Sequence, residues 1–397
     1  MSYGHHPDGP CCCLLGEAGD SILATLGPLE TLMNPASRSG PLLGLRVVEF
    51  AGIGPGPFAC MLLSDMGADV VTIDRPGKKL GERHNLTGRG RSVVLADLKD
   101  VAAREQVYQL LEKADVLIEG YRPGVMERLG FGPEAVLARN PRIVYGRMTG
   151  WGQEGPLAQA AGHDLNYIAI TGALHAIGPK DGAPVPPLNL IGDYGGGSLY
   201  LIVGVLAALR EASLSGRGQV VDAAMTDGAA SLMTNFVSQQ LRGVFSERRG
   251  SNLLDGGAPY YRVYETSDGE HVTLGAIEPQ FFAEFCERVG LPSELHGAQH
   301  DRAQWPRLHD EFARIFKRRT QAEWTHALEG TDACFAPVLS LSKAQDHPHN
   351  LARNTFLDVD GITQPAPAPR FSRTPSRVQG PAPKESTPAS EVLGRWQ

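Results

Sequence analysis

Short runs of β-branched residues bounded by glycines alternate with helical apolar periods along the first part of the chain. Residues 45–50, 69–74, 92–95, 115–119 and 142–147 read as strands, and 58–66, 101–113 and 124–129 as helices between them. Strands spaced by helical patterns predict a mostly parallel sheet with helices on both faces, a Rossmann-like α/β layer. A long apolar helix is expected over 195–210, a strand over 219–223 and a helix over 227–236. Beyond Gly250 the pattern changes. Residues 259–266 and 271–275 are β-rich and flank Ser267-Asp268-Gly269-Glu270, where Asp-Gly predicts a hairpin. Helical periods follow at 280–289, 308–318 and 321–328, so a smaller α+β domain is expected. The resulting division is an N-terminal extension over 1–40, a large α/β domain over 41–235, a small domain over 236–350, and a return to the large domain over 351–397. The extension has no clear period, is rich in Gly, Pro and Ser, and is expected to be disordered; Met33 is a candidate start. The segment after Pro381 is expected to be loose.

Composition narrows the class. Hydrophobic residues make up 42% and charged residues 20%, as in ordinary globular chains. The net charge of −7 lacks the general basic surface of a nucleic-acid binder. The charge is uneven, however: Arg75, Lys78, Lys79, Arg83, Arg89 and Arg91 stand against the single acid Glu82. Such a cationic loop suits a small phosphorylated ligand, and its plain alternative is a solvated charge run. Cys11–Cys13 are consecutive; Cys60, Cys286 and Cys334 lie in apolar surroundings and read as buried thiols of a reducing compartment. No C-x-x-C pair or zinc set is seen, so no metal is expected. No apolar run is expected to span a membrane, no secretory leader is visible, and Gly-Arg-Trp-Gln is not a peroxisomal address. A bacterial cytoplasmic enzyme is the expectation.

Candidate chemistry lies in four stretches. Gly52-Ile53-Gly54-Pro55-Gly56-Pro57 opens the first helix and invites a dinucleotide reading with Asp74 on a ribose. The spacing is G-x-G-x-G, not G-x-G-x-x-G, and Arg75 directly after Asp74 suits a phosphate better. Gly162-His163-Asp164-Leu165-Asn166-Tyr167 follows a glycine-rich stretch and reads as a loop. Asp193, before a glycine run and a long helix, is expected near a helix N-terminus, where the dipole favours the carboxylate. Imidazole and carboxylate are two acid/base groups of different strength. Glu278, before Pro279, is a third acid that could orient the imidazole. Each has a structural alternative: an exposed loop histidine, an N-cap aspartate, a helix-start glutamate.

From about Leu43 to Arg377 the chain resembles the family III CoA-transferases, and within them the α-methylacyl-CoA racemases. The stretches that carry the resemblance include GLRVVEFAGIGPGPFACMLLSDMGADVVTIDRPG, GYRPGVMERLG, GHDLNYIAITGAL, NLIGDYGGGS, GAIEPQF and APRFSRTP. The resemblance implies His163 and Asp193 as the two catalytic bases, with Glu278 supporting the histidine. It implies that Arg75, Ala96, Asp97, Leu98, Lys99, Gly120, Tyr121, Arg122, Arg128, Gly162, Asp164, Leu165, Asn166 and Tyr167 hold the coenzyme A portion of the substrate. It also implies a homodimer of interlocked chains with sites between the large domain of one copy and the small domain of the other. No cofactor is implied, since coenzyme A belongs to the substrate. In the related transferases the matching aspartate is a nucleophile that forms an aspartyl-CoA thioester, and that branch lacks the histidine. His163 therefore favours the racemase.

Overall fold

The structure, a computed structural model, describes residues 38–397; the expected N-terminal extension lies almost wholly outside the described residues. Six strands form one parallel sheet: β1 (Arg46–Phe50), β2 (Asp69–Asp74), β3 (Ser92–Leu95), β4 (Val116–Glu119), β5 (Val144–Thr149) and β6 (Val220–Ala224). Their order is β3-β2-β1-β4-β5-β6. The chain winds outward from β1 to β3, then returns to the other side of β1. This reversal opens a crevice beyond the carboxyl ends of β1 and β4, where open α/β sheets bind ligands.

The strands read as near-continuous apolar runs because both faces of the sheet are covered. Successive residues alternate between two cores. Val48, Val71 and Leu117 pack with Leu110 and Leu111 of the helix Val101–Lys113. Val47, Val70 and Ile118 pack with Leu63 of the helix Pro55–Asp65 and with Leu201 and Val205 of the helix Leu199–Ser215. A separate aromatic core, with Phe282, Phe285, Phe312, Phe316 and Trp324, lies under the antiparallel strands β7 (Tyr261–Glu265), β8 (His271–Gly275) and β9 (Phe335–Pro337). The expected Asp-Gly hairpin joins β7 to β8, with Gly269 at φ 79°.

Four expectations are corrected. The tail after Pro381 is not loose: the helix Ala389–Arg395 seats Val392 and Trp396 in the sheet's core, and Arg395 and Trp396 bond Asp69. The cationic loop is only partly free. Arg89 and Arg91 are buried and pair with Asp65 and Glu49, while Arg83 donates to the Asp360 carbonyl. Ions taken from water at such cost need these partners. Cys60 and Cys286 are buried as expected, but Cys334 is only half-buried. Finally, the long apolar helix begins earlier than the glycines suggest. Leu190–Ser198 is wound as a π-helix and continues into Leu199–Ser215, giving 26 residues long and apolar enough, by length and composition, to cross a membrane. In this fold one face of it packs on the sheet.

Candidate active site

A cavity of about 500 Å³ lies over the crevice, walled by the loops after β1, β4 and β5. The loop after β4 is Gly120-Tyr121-Arg122. It is pinned from below: buried Glu119 accepts from the Tyr121 N–H at 2.8 Å and from Arg147 Nε at 3.0 Å. The loop after β5 contributes Gly150 and Trp151, and the Tyr167 ring meets Trp151 edge-on with centroids 4.8 Å apart. A Cβ at Gly150 would collide with that ring, so glycine there is a packing requirement.

His163 stands just before the short helix Asp164–Ala169. Its N–H donates to Asn166 Oδ1 at 3.0 Å, which turns the chain and leaves the exposed imidazole on the cavity wall. Asp193 enters from a different element, the first turn of the π-helical segment. The glycines after it allow a close crossing: the backbone of Gly196 lies against that of Gly228 in the helix Met225–Leu232, where a Cβ on Gly228 would sit 1.8 Å from the Gly196 carbonyl oxygen. The Ser198 hydroxyl donates to the Pro55 carbonyl at 2.7 Å, tying this segment to the loop after β1.

The Asp193 carboxylate is half-buried and accepts from Asn189 Nδ2 at 3.1 Å. Burial pushes its pKa up; Asn189 and His163 oppose that, and the neighbouring Asp164 reinforces it. Asp193 lies in the first turn of a helical segment, as expected, but burial is the largest effect on its carboxyl and raises it. The cavity thus sets an imidazole and a carboxyl of raised proton affinity on one wall, two groups able to act as acid and base.

Of the residues expected to touch the substrate, Gly120, Tyr121, Arg122, Gly162, Asn166 and Tyr167 line this cavity with His163 and Asp193. Others do not. Arg75 is exposed after β2, and Ala96, Asp97, Leu98 and Lys99 follow the edge strand β3, with Asp97 accepting from the Lys99 N–H at 3.0 Å. Arg128 is exposed on the helix Val125–Leu129. Leu165 is exposed, and Asp164 is buried with its carboxylate on the backbone of Asp193. Glu278 precedes the helix Pro279–Val289 in the three-stranded unit and does not line the cavity. Two backbone donors of the turn after Asn189 are already used: Asp193 N–H goes to Asp164 and Tyr194 N–H to the Asn189 carbonyl.

Sequence reasoning noticed Ile53, Gly54 and Pro55 only as a dinucleotide-like turn and did not place them in this site, where they form one wall. Gly54 has φ 68°, and a Cβ there would lie 2.9 Å from Asp193 Oδ2. The G-x-G-P-G-P turn was the signal. Lys78 and Lys79 line an adjoining cavity of about 320 Å³ that shares Ile53 and Gly54. Among the described residues, no group of three or more His, Cys, Asp or Glu is placed to hold a metal ion.

Comparison with known proteins follows the same lines. The model of CoA-transferase family III matches residues 42–387. An alpha-methylacyl-CoA racemase of Mus musculus is 45% identical over 336 residues, covering 84% of this chain and 87% of that protein. The human alpha-methylacyl-CoA racemase is 41% identical over the same shares. The crystal structure of a CaiB/BaiF family protein from Brucella suis matches with a TM-score of 0.77 and 24% identity, covering 91% of this chain and all of that one, a likeness of fold.

Proposed function

This chain belongs to CoA-transferase family III, and we propose that it interconverts the (R) and (S) forms of 2-methylacyl-CoA thioesters. The observation that carries the reading is one cavity with His163 and Asp193 on separate elements. The thioester acidifies its α-hydrogen because the enolate spreads charge onto oxygen. One base removes that proton, and the other returns a proton to the opposite face. Inversion requires groups on two faces, and reversibility requires that both exchange roles. The raised pKa of Asp193 brings its proton affinity toward that of an imidazole. In this reading Arg122 and the loop Gly120-Tyr121, which line the cavity, receive the coenzyme A arm. Holding the thioester between prepositioned groups supplies much of the rate. No metal or redox step enters this scheme, and coenzyme A is part of the substrate.

The same reading makes the enzyme a homodimer of interlocked chains, in which Glu278 of a second copy meets His163. Glu278 is absent from the cavity wall of its own chain, and Leu199, Val203, Val237 and Leu241 are exposed at 49%, 66%, 51% and 86%. Mixing His163→Ala chains with Glu278→Ala chains under exchange conditions should regain activity through hybrid dimers. If neither mixing nor sedimentation shows a dimer, this part is abandoned.

The direct test is incubation with (R)-2-methylacyl-CoA in D₂O, following α-deuterium uptake and the R/S ratio. Uptake with drift to a mixture, lost in His163→Ala and Asp193→Ala, supports the racemase. Transfer of CoA to an added carboxylate, surviving His163→Ala, would instead make Asp193 the nucleophile of an aspartyl-CoA thioester and assign a CoA-transferase.

A further inference from the structure

We propose that Asp164 is a positioning residue that holds Asp193 in its working orientation, so that one dipeptide, His163-Asp164, supplies one base and fixes the other. The proposal rests on the racemase reading for its kinetic consequences and on geometry for the contact itself. Asp164 Oδ2 accepts from the Asp193 N–H at 2.7 Å across 29 residues. That N–H belongs to the first turn of a helical segment, where the backbone has no donor–acceptor partner of its own. Asp164 thus caps from outside a turn that carries an acid/base group in its interior.

Three observations mark this contact as more than packing. Asp164 is 7% exposed, and its Oδ1 is buried without a partner among the described residues. A buried carboxylate with one oxygen unsatisfied is costly, and a neutral acceptor would cap the turn with less penalty. Secondly, the residue facing it is Gly192, where a Cβ would lie 2.4 Å from Asp164 Oδ2. Only glycine lets the carboxylate reach the backbone. Thirdly, the wide turn is a π-helix, a rare winding that is frequent at functional sites and needs outside support. A shift of this turn would move the Asp193 carboxyl relative to His163, and about 1 Å of misplacement can cost on the order of 100-fold in rate.

The charge has a second effect. The titratable groups near Asp193 are His163, Asp164 and, through space, Tyr167, whose hydroxyl is pushed up by burial and then by the Asp193 charge. Of these, Asp164 pushes the Asp193 proton affinity up and His163 pulls it down. Replacing Asp164 by asparagine keeps an acceptor for the Asp193 N–H and removes the charge, whereas alanine removes both.

The experiment measures α-deuterium exchange and the thermal transition of the full chain for Asp164→Asn, Asp164→Ala and Gly192→Ala, and titrates the Asp193 carboxyl by ¹³C NMR, assigned by its loss in Asp193→Asn. Asp164→Ala and Gly192→Ala should each lower kcat about 100-fold with KM within a few-fold. Asp164→Asn should recover most of kcat, and its Asp193 carboxyl should titrate at lower pH than in the parent. Parent-like kcat in a folded Asp164→Ala or Gly192→Ala overturns the proposal, as does Asp164→Asn that is as inactive as Asp164→Ala. If Asp164→Ala does not fold, Gly192→Ala and Asp164→Asn decide by the same criteria. If the parent itself shows no exchange, the racemase reading fails separately, and an Asp193 midpoint unmoved by Asp164→Asn then overturns the contact.

Discussion

Two sets of acids serve the same sheet and do opposite work. Away from the cavity wall, Asp65, Glu49 and Glu119 are almost fully buried, and each holds an arginine: Arg89, Arg91 and Arg147. In the cavity, Asp193 is half-buried beside an amide, a histidine and another carboxylate, with no arginine or lysine bonded to it among the described residues. The paired acids fix loops. The Arg91 guanidinium also reaches the carbonyls of Pro57 and Thr87, so it staples the helix Pro55–Asp65 to the loop ahead of β3. The unpaired acid is left free to take and give a proton. Burial pushes Asp65 and Glu119 up as it does Asp193, and their arginines oppose it; what sets Asp193 apart is that its carboxylate lines the cavity. A binding loop rich in arginine can therefore be mostly scaffold, as Arg89 and Arg91 are here.

The sharpest separation of the two sets comes from Asp193→Asn. Loss of an acid/base group should cut racemisation about 10²–10⁴-fold, read by deuterium exchange, while the thermal transition stays intact. Arg91→Ala should act the other way. It strands buried Glu49, so urea unfolding should show a loss of about 3–5 kcal/mol; a loss below about 1 kcal/mol would erase the distinction drawn here. Gly54→Ala tests the border between the sets. Its backbone, φ 68° with ψ −118°, is one L residues rarely adopt and costs about 1–3 kcal/mol, and the new methyl would press on Asp193 Oδ2, so kcat should fall more than stability. The smallest effect is in pH. The folded-state pKa of Asp193 is raised, so its protonated form stabilises the fold at low pH, and this contribution is lost as pH rises through the folded value. Asp193→Asn should therefore melt slightly above the parent at pH 7, with the gap closing as pH falls through the ordinary carboxylate range.

Much of the fold is legible in the chain. β2, β3 and the helices Val101–Lys113 and Gln321–Leu328 lie where the apolar periods end at glycines or polar caps. Thr320 with Glu323 is a capping box that fixes the start of Gln321–Leu328. What escaped is what depends on distant residues. The Leu190–Ser198 segment, with four glycines, does not read as helix before 195, because nothing local shows that Gly228 passes close enough to require Gly196. The C-terminal residues look like a polar tail, because Trp396 finds its core only after the sheet has formed.

The sequence by itself determined the alternation of strands and helices, the glycine-flanked histidine and the aspartate before the long helix, since these rest on local backbone preference and apolar period. It also carried the family resemblance that names the bases. Only the tertiary structure decided which of the cations are free, that Asp193 sits in a π turn gripped by Asp164, and that Glu278 lies outside the cavity of its own chain. The reason is that burial and ion pairing are properties of neighbours brought together across 20 to 300 residues of chain, and a charge reads the same along the sequence whether it ends in water or against a partner.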